Sequence, residues 1–105
     1  MKVKERGFDE TGLLTLFEEK TDNIEVKFGT VTISPGERVP KEGLSLHEEN
    51  EYSIIIKGEI EGECGGIPFA VSDSNATLIP AGEEHWAINS GKEPCEIVWA
   101  LVKEK

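Results

Sequence analysis

The sequence is poor in cysteine, in histidine and in basic charge. Its 105 residues include two cysteines, Cys64 and Cys95, and two histidines, His47 and His85. The cysteines form neither a CxxC pair nor a disulfide framework, so both read as packing residues or inert thiols without a role in chemistry. Eleven basic side chains face 21 acidic ones, and the formal charge is -10. Such a field repels phosphate backbones and anionic headgroups, which argues against nucleic acid and membranes as partners. No stretch approaches the roughly 18 apolar residues that a membrane span needs, and MKVKERGFDE lacks the apolar run of a secretory signal. A cytoplasmic location is the expectation. Linkers, internal repeats and low-complexity tracts are also lacking, and residues 1–105 are expected to form one domain.

What is present is an ordinary globular composition, 37% hydrophobic and 30% charged, which requires a packed core. Strand-like runs recur at short intervals between turn residues, and no sustained helical period interrupts them. The runs are 13–17, 24–33, 45–47, 52–57, 59–63, 69–71, 76–79, 85–89 and 96–103. Turns are predicted at Ser34-Pro35-Gly36, Gly65 to Pro68, Ser72 to Asn75, Pro80-Ala81-Gly82 and Asn89-Ser90-Gly91. An all-β sandwich or barrel is predicted.

Side chains two apart share a strand face. Glu51, Ser53 and Ile55 therefore lie together, opposite Tyr52, Ile54 and Ile56. Likewise His85, Ala87 and Asn89 oppose Trp86 and Ile88. If the polar faces point inward, Tyr52, Ile54, Ile56, Trp86 and Ile88 form an outward apolar patch too large to leave wet. A symmetric homodimer that shares this patch is expected, ahead of coverage by the N-terminal strands.

Three side chains carry metal-ligand chemistry: His47, Glu51 four residues on, and His85. Two imidazoles and a carboxylate suit divalent iron, manganese, nickel or zinc. By themselves they are as well read as two ordinary histidines near loops.

The order of residues adds to this. Ser45-Leu46-His47, Glu51 and Gly58 resemble the first cupin motif, G-x5-H-x-H-x3,4-E-x6-G. Pro80, Gly82, His85 and Asn89 resemble the second, G-x5-P-x-G-x2-H-x3-N. Seven of the ten fixed positions match; Val39, Ser45 and Ser74 depart. Fifteen residues, 59–73, separate the motifs, similar to the short spacing of small microbial cupins. The chain thus resembles the small single-domain (RmlC-like) cupins. That resemblance implies a double-stranded β-helix, or jelly-roll-like β-barrel, with N-terminal strands in 1–38, motif one in 39–58, motif two in 74–89 and a C-terminal strand over 96–103. It also implies a metal site at His47, Glu51 and His85. Ser45 stands where the family usually has its first histidine, and a serine hydroxyl is a poor ligand, so the set has two histidines, one carboxylate and open positions.

The residues expected to line the barrel are Ser45, Ser53, Ile55, Ala87 and Asn89, with Arg38 as the main basic candidate. Glu48, Glu49, Glu83 and Glu84 flank the ligands and should make the mouth electronegative, favouring a small neutral or cationic molecule. Three readings follow. The chain is a metal-dependent oxygenase, isomerase or lyase, with Tyr52 or a metal-bound water moving the proton. Alternatively it is a non-catalytic small-molecule-binding module. In the third reading it is a dimeric barrel whose site has decayed.

Overall fold

The computed structural model describes residues 1–10 and 12–105. Among these residues the regular structure is nine strands: β1 (Gly12–Lys20), β2 (Ile24–Ile33), β3 (Arg38–Val39), β4 (Asn50–Lys57), β5 (Glu59–Cys64), β6 (Ile67–Ser72), β7 (Ala76–Ile79), β8 (His85–Ile88) and β9 (Cys95–Glu104). They build two antiparallel sheets, one of five strands in the order β1-β2-β9-β4-β7 and one of four in the order β3-β8-β5-β6. The fold class is the predicted jelly-roll-like β-barrel.

Alternation decides which side chains meet between the sheets. Ile33, Ile55, Cys95 and Ile97 come from the large sheet, Ile60 and Ala87 from the small one, and together they form the buried cluster. Ile55 is 1% exposed, and its truncation to Ala would cost about 2–5 kcal/mol. Cys95 is wholly buried among these groups, the packing role expected of it. Cross-strand pairs then step along the large sheet in rows: Ile97 with Ile55, Trp99 with Ser53, Leu101 with Glu51. Each step of two residues moves about 7 Å along the strand.

Two local expectations need correction. Residues 45–47 are not a strand: Ser45 makes a single bridge to His85, and the chain then bends so that the His47 carbonyl accepts from Gly82 N at 2.9 Å. Conversely, the two-residue strand β3 escapes notice because it has no alternating run and is followed by Pro40, which has no N–H to extend a ladder. Ile67 and Pro68, expected in a turn, begin β6; the turn itself is Gly65 and Gly66, both with positive φ.

The outward apolar patch also divides. Tyr52, Ile54 and Ile56 are exposed on the large sheet, whereas Trp86 and Ile88 belong to the small one. Trp86 is half-buried, its indole N–H donates to Glu63 Oε1 at 3.1 Å, and the Arg38 guanidinium lies 4.7 Å from its ring centroid. The N-terminal segment reaches the outer face of β2, where Thr30 Oγ1 donates to the Gly7 carbonyl and Thr32 Oγ1 to the Asp9 carbonyl at 2.8 Å. Tyr52 and its neighbour Leu78 remain exposed.

Candidate metal centre

Strand register brings distant residues to one end of the barrel. In the small sheet, Ser45, His85 and Cys64 are side-by-side partners. In the large sheet, Leu101, Glu51 and Ile79 form the corresponding row. His47 comes from the bend between them, and Asn50 fixes that bend by accepting from Ala81 N at 2.8 Å.

The ligand atoms of His47, Glu51 and His85 all lie within 4.8 Å of one another. His47 Nε2 is 3.4 Å from Glu51 Oε1, and the two imidazoles meet edge to face with centroids 5.0 Å apart. Each ring is oriented by the main chain: His47 Nδ1 is 3.0 Å from the Glu49 carbonyl and His85 Nδ1 is 2.9 Å from the Glu83 carbonyl. A carbonyl only accepts, so Nδ1 carries the proton and Nε2 presents its lone pair. The His47 Nε2 is buried without a hydrogen-bond partner. In the neutral tautomer the Nε2 lone pair faces the Glu51 carboxylate, one acceptor against another, and a cation between them compensates both. The donor set fits a divalent ion.

Below this cluster lies a cavity of about 540 Å³. Its polar lining is Ser45, Glu51, Ser53, Cys64, Thr77 and His85. The rest of the wall is apolar, including Val31, Ile33, Ile55, Ile60, Phe69 and Ile97. Of the residues expected there, Ser45, Ser53, Ile55 and Ala87 are in its wall. Arg38 and Asn89 do not. Arg38 pairs with Ile88 and therefore points outward with it, over Trp86. Asn89 is wholly buried outside the cavity, donating to the Ile33 and Glu93 carbonyls at 2.8 Å each and accepting from Gly91 N at 2.9 Å. Tyr52 faces outward, away from the site.

Cys64 and Thr77 are polar lining residues that the motifs do not single out; for Cys64, a burial pattern does. Its thiol donates to Glu83 Oε1 at 3.0 Å, and burial, reinforced by that carboxylate, raises its pKa to about 11. The signal was available: Glu59, Glu61 and Glu63 alternate outward on β5, which assigns Ile60, Gly62 and Cys64 to the inner face. The acidic doublets act differently than their charge suggested. Glu48 is engaged by Lys103 at 2.6 Å, while Glu49 and Glu83 contribute carbonyls to the histidines.

Comparison with known proteins agrees with this architecture. A family model described as the cupin domain matches residues 29–101. The alginate biosynthesis protein AlgA of Pseudomonas aeruginosa is 30% identical over 69 residues, 65% of this chain, and the chain spans 14% of that protein's length. The cupin domain of Schizosaccharomyces pombe Cnp3 superposes with a TM-score of 0.73 at 15% identity, over 93% of this chain and 67% of that one. A predicted oxalate decarboxylase of Thermotoga maritima gives a TM-score of 0.66 at 19% identity, over 90% of this chain and 94% of the other. With a family match over most of its length and the strand order to go with it, the chain belongs to the cupin domain family.

Proposed function

We propose that this cupin holds a divalent iron, manganese, nickel or zinc ion at His47, Glu51 and His85 and takes a small neutral or cationic molecule into the cavity beneath. The observation that carries this reading is the pair of imidazoles whose Nδ1 atoms are engaged by backbone carbonyls, with His47 Nε2 3.4 Å from Glu51 and the ligand atoms of all three residues within 4.8 Å of one another. When bound, the ion supplies Lewis acidity. The chain's own contribution is to orient the three ligands and to exclude water from the apolar wall. Ser45 leaves room on the His85 side for a small molecule to approach. An oxygenase, isomerase or lyase is consistent with such an open three-ligand set.

The Thermotoga relative is named for oxalate, but that substrate does not transfer readily. A dianion calls for a cationic clamp, and among the described residues no Lys or Arg lines the cavity. Among the described residues the cavity lining holds no acid or base besides the ligands and the Cys64 thiol, which favours, as the second reading, a binding module that does not turn its ligand over.

Metal analysis of tag-free protein tests the proposal. Stoichiometric metal in the parent chain, lost in both His47→Ala and His85→Ala, is the expected result; no metal at saturating Fe(II), Mn(II), Ni(II) and Zn(II) overturns it. Turnover of co-purified small molecules identified by mass spectrometry separates enzyme from binding module.

We further propose a homodimer through the outward face of the large sheet, where Phe28, Tyr52, Ile54 and Leu78 are exposed. Scattering at two concentrations is expected to give a dimer mass at both, and a monomer mass at both removes this assembly.

A further inference from the structure

The cavity is graded from a polar end to an apolar floor, and its middle row holds an unused pair of hydroxyls. Ser53 and Thr77 are direct cross-strand partners on β4 and β7, and both line the cavity. Directly opposed side chains on one sheet face have Cβ atoms about 5 Å apart. Neither hydroxyl has a hydrogen-bond partner among the side-chain contacts of the described residues, and neither is buried. Trp99, the other neighbour of Ser53 in this row, lines the same cavity. Its ring edge lies over Gly29, where an added Cβ would come within 2.6 Å of the indole. That glycine makes room for the indole on the β2 side of β9.

The rows set the spacing. Glu51 lies one two-residue step, about 7 Å, from Ser53, and Ile55 lies one further step beyond. A molecule lying along β4 therefore meets the ligand cluster, then two hydroxyls, then the floor of Ile33, Ile55, Ile60 and Ile97. We infer that Ser53 and Thr77 form a recognition site for a neutral oxygen, a carbonyl or hydroxyl, carried on an apolar body. This assignment deepens the proposed small-molecule reading and rests on it. A carboxylate is disfavoured because Glu51 is one step away and, among the described residues, no Lys or Arg lines the wall.

Three shape-matched probes test it on the full-length chain after EDTA treatment: acetophenone, α-methylstyrene, which replaces the carbonyl oxygen by a methylene, and benzoate. Binding is followed by ¹H–¹⁵N chemical-shift titration. Acetophenone is expected to bind saturably, about fivefold tighter than α-methylstyrene and more than tenfold tighter than benzoate. In Ser53→Ala/Thr77→Val the first preference falls to within twofold. Thr77→Val alone, nearly isosteric, serves if the double variant does not fold and is expected to lose at least half of the preference. Absence of saturable acetophenone binding, equal binding of benzoate, or a preference unchanged in the variants overturns the inference. Zn(II) calorimetry on the same samples reads the metal site separately: Zn(II) binding retained without the carbonyl preference rejects the hydroxyl site alone.

Discussion

Ser45 and His85 face each other across a two-way backbone bridge, with Ser45 N donating to the His85 carbonyl at 2.8 Å and His85 N donating to the Ser45 carbonyl at 3.0 Å. Paired residues project to the same side of a sheet, so the Ser45 side chain stands beside the His85 imidazole at the top of the cavity. Ser45→His should therefore add a third imidazole to the cluster. Calorimetric Zn(II) affinity is expected to rise at least tenfold, roughly 1.4 kcal/mol. Unchanged affinity would mean that position 45 does not reach the ion.

Asn89 ties the end of β2 to the loop between β8 and β9 without lining the cavity. In Asn89→Ala the Ile33 and Glu93 carbonyls and the Gly91 amide lose their partner in a fully buried place. Each unsatisfied group costs about 1–3 kcal/mol, so a loss of roughly 3–5 kcal/mol is expected in urea denaturation. Zn(II) stoichiometry in the variant that remains folded should be unchanged, which distinguishes a structural asparagine from a pocket residue.

Gly62 sits across β5 from Ala87, and a Cβ there would come within 2.0 Å of the Trp86 carbonyl and 2.8 Å of Ala87 Cα. Gly62→Ala must push β5 and β8 apart, and β8 carries His85. A loss of at least 2 kcal/mol is expected, in the range of overpacked cores, together with weaker Zn(II) binding. Normal metal affinity at reduced stability would show that His85 is held independently of the β5–β8 ladder.

Both thiols favour their neutral form. Burial is the leading cause for each, aided by Glu83 at Cys64 and by the charges of Asp73, Glu96 and Glu59 at Cys95, and each pKa is raised from 9.0 to about 11. The unfolded chain thus gives up these protons at lower pH than the folded one. Stability from this source is complete below pH 9 and declines as pH rises toward 11. The urea midpoint is expected to fall between pH 8 and pH 10.5, and to fall less in Cys95→Ala. At pH 8, thiolate is scarcer than in free cysteine by up to about 100-fold, so iodoacetamide labelling of Cys64 should be correspondingly slow.

Much of the barrel was legible because its strands obey a period of two. The run 24–33 and the run 76–79 coincide with β2 and β7, and Ser53, Ile55 and Ala87 share the inward parity of the strands that wall the cavity. Parity does not say which sheet a strand joins, which is why Trp86 and Tyr52 were grouped on one patch though they lie on different sheets. Nor does it reach past the last residue of a strand. Asn89 has the right parity for the cavity, but β8 ends at Ile88, and the asparagine turns instead to join the end of β2 to the loop between β8 and β9. The direction of Arg38, the main basic candidate for the lining, escapes for a related reason: it is set by a two-residue pairing with β8, too short to leave a pattern. The three candidate ligands were readable from motif order, whereas the orientation of their rings was not, since it depends on how two bends aim their carbonyls.

Those carbonyls belong to Glu49 and Glu83, and their role is independent of the acidic side chains attached to them. The carboxylates at these positions are free to be exchanged during evolution as far as ring orientation is concerned, while insertion or deletion of a single residue in either bend would redirect an imidazole. The heritable information that aims the two histidines is therefore stored in segment length more than in residue identity, a quantity that substitution scans leave untouched and that loop-length variants would expose.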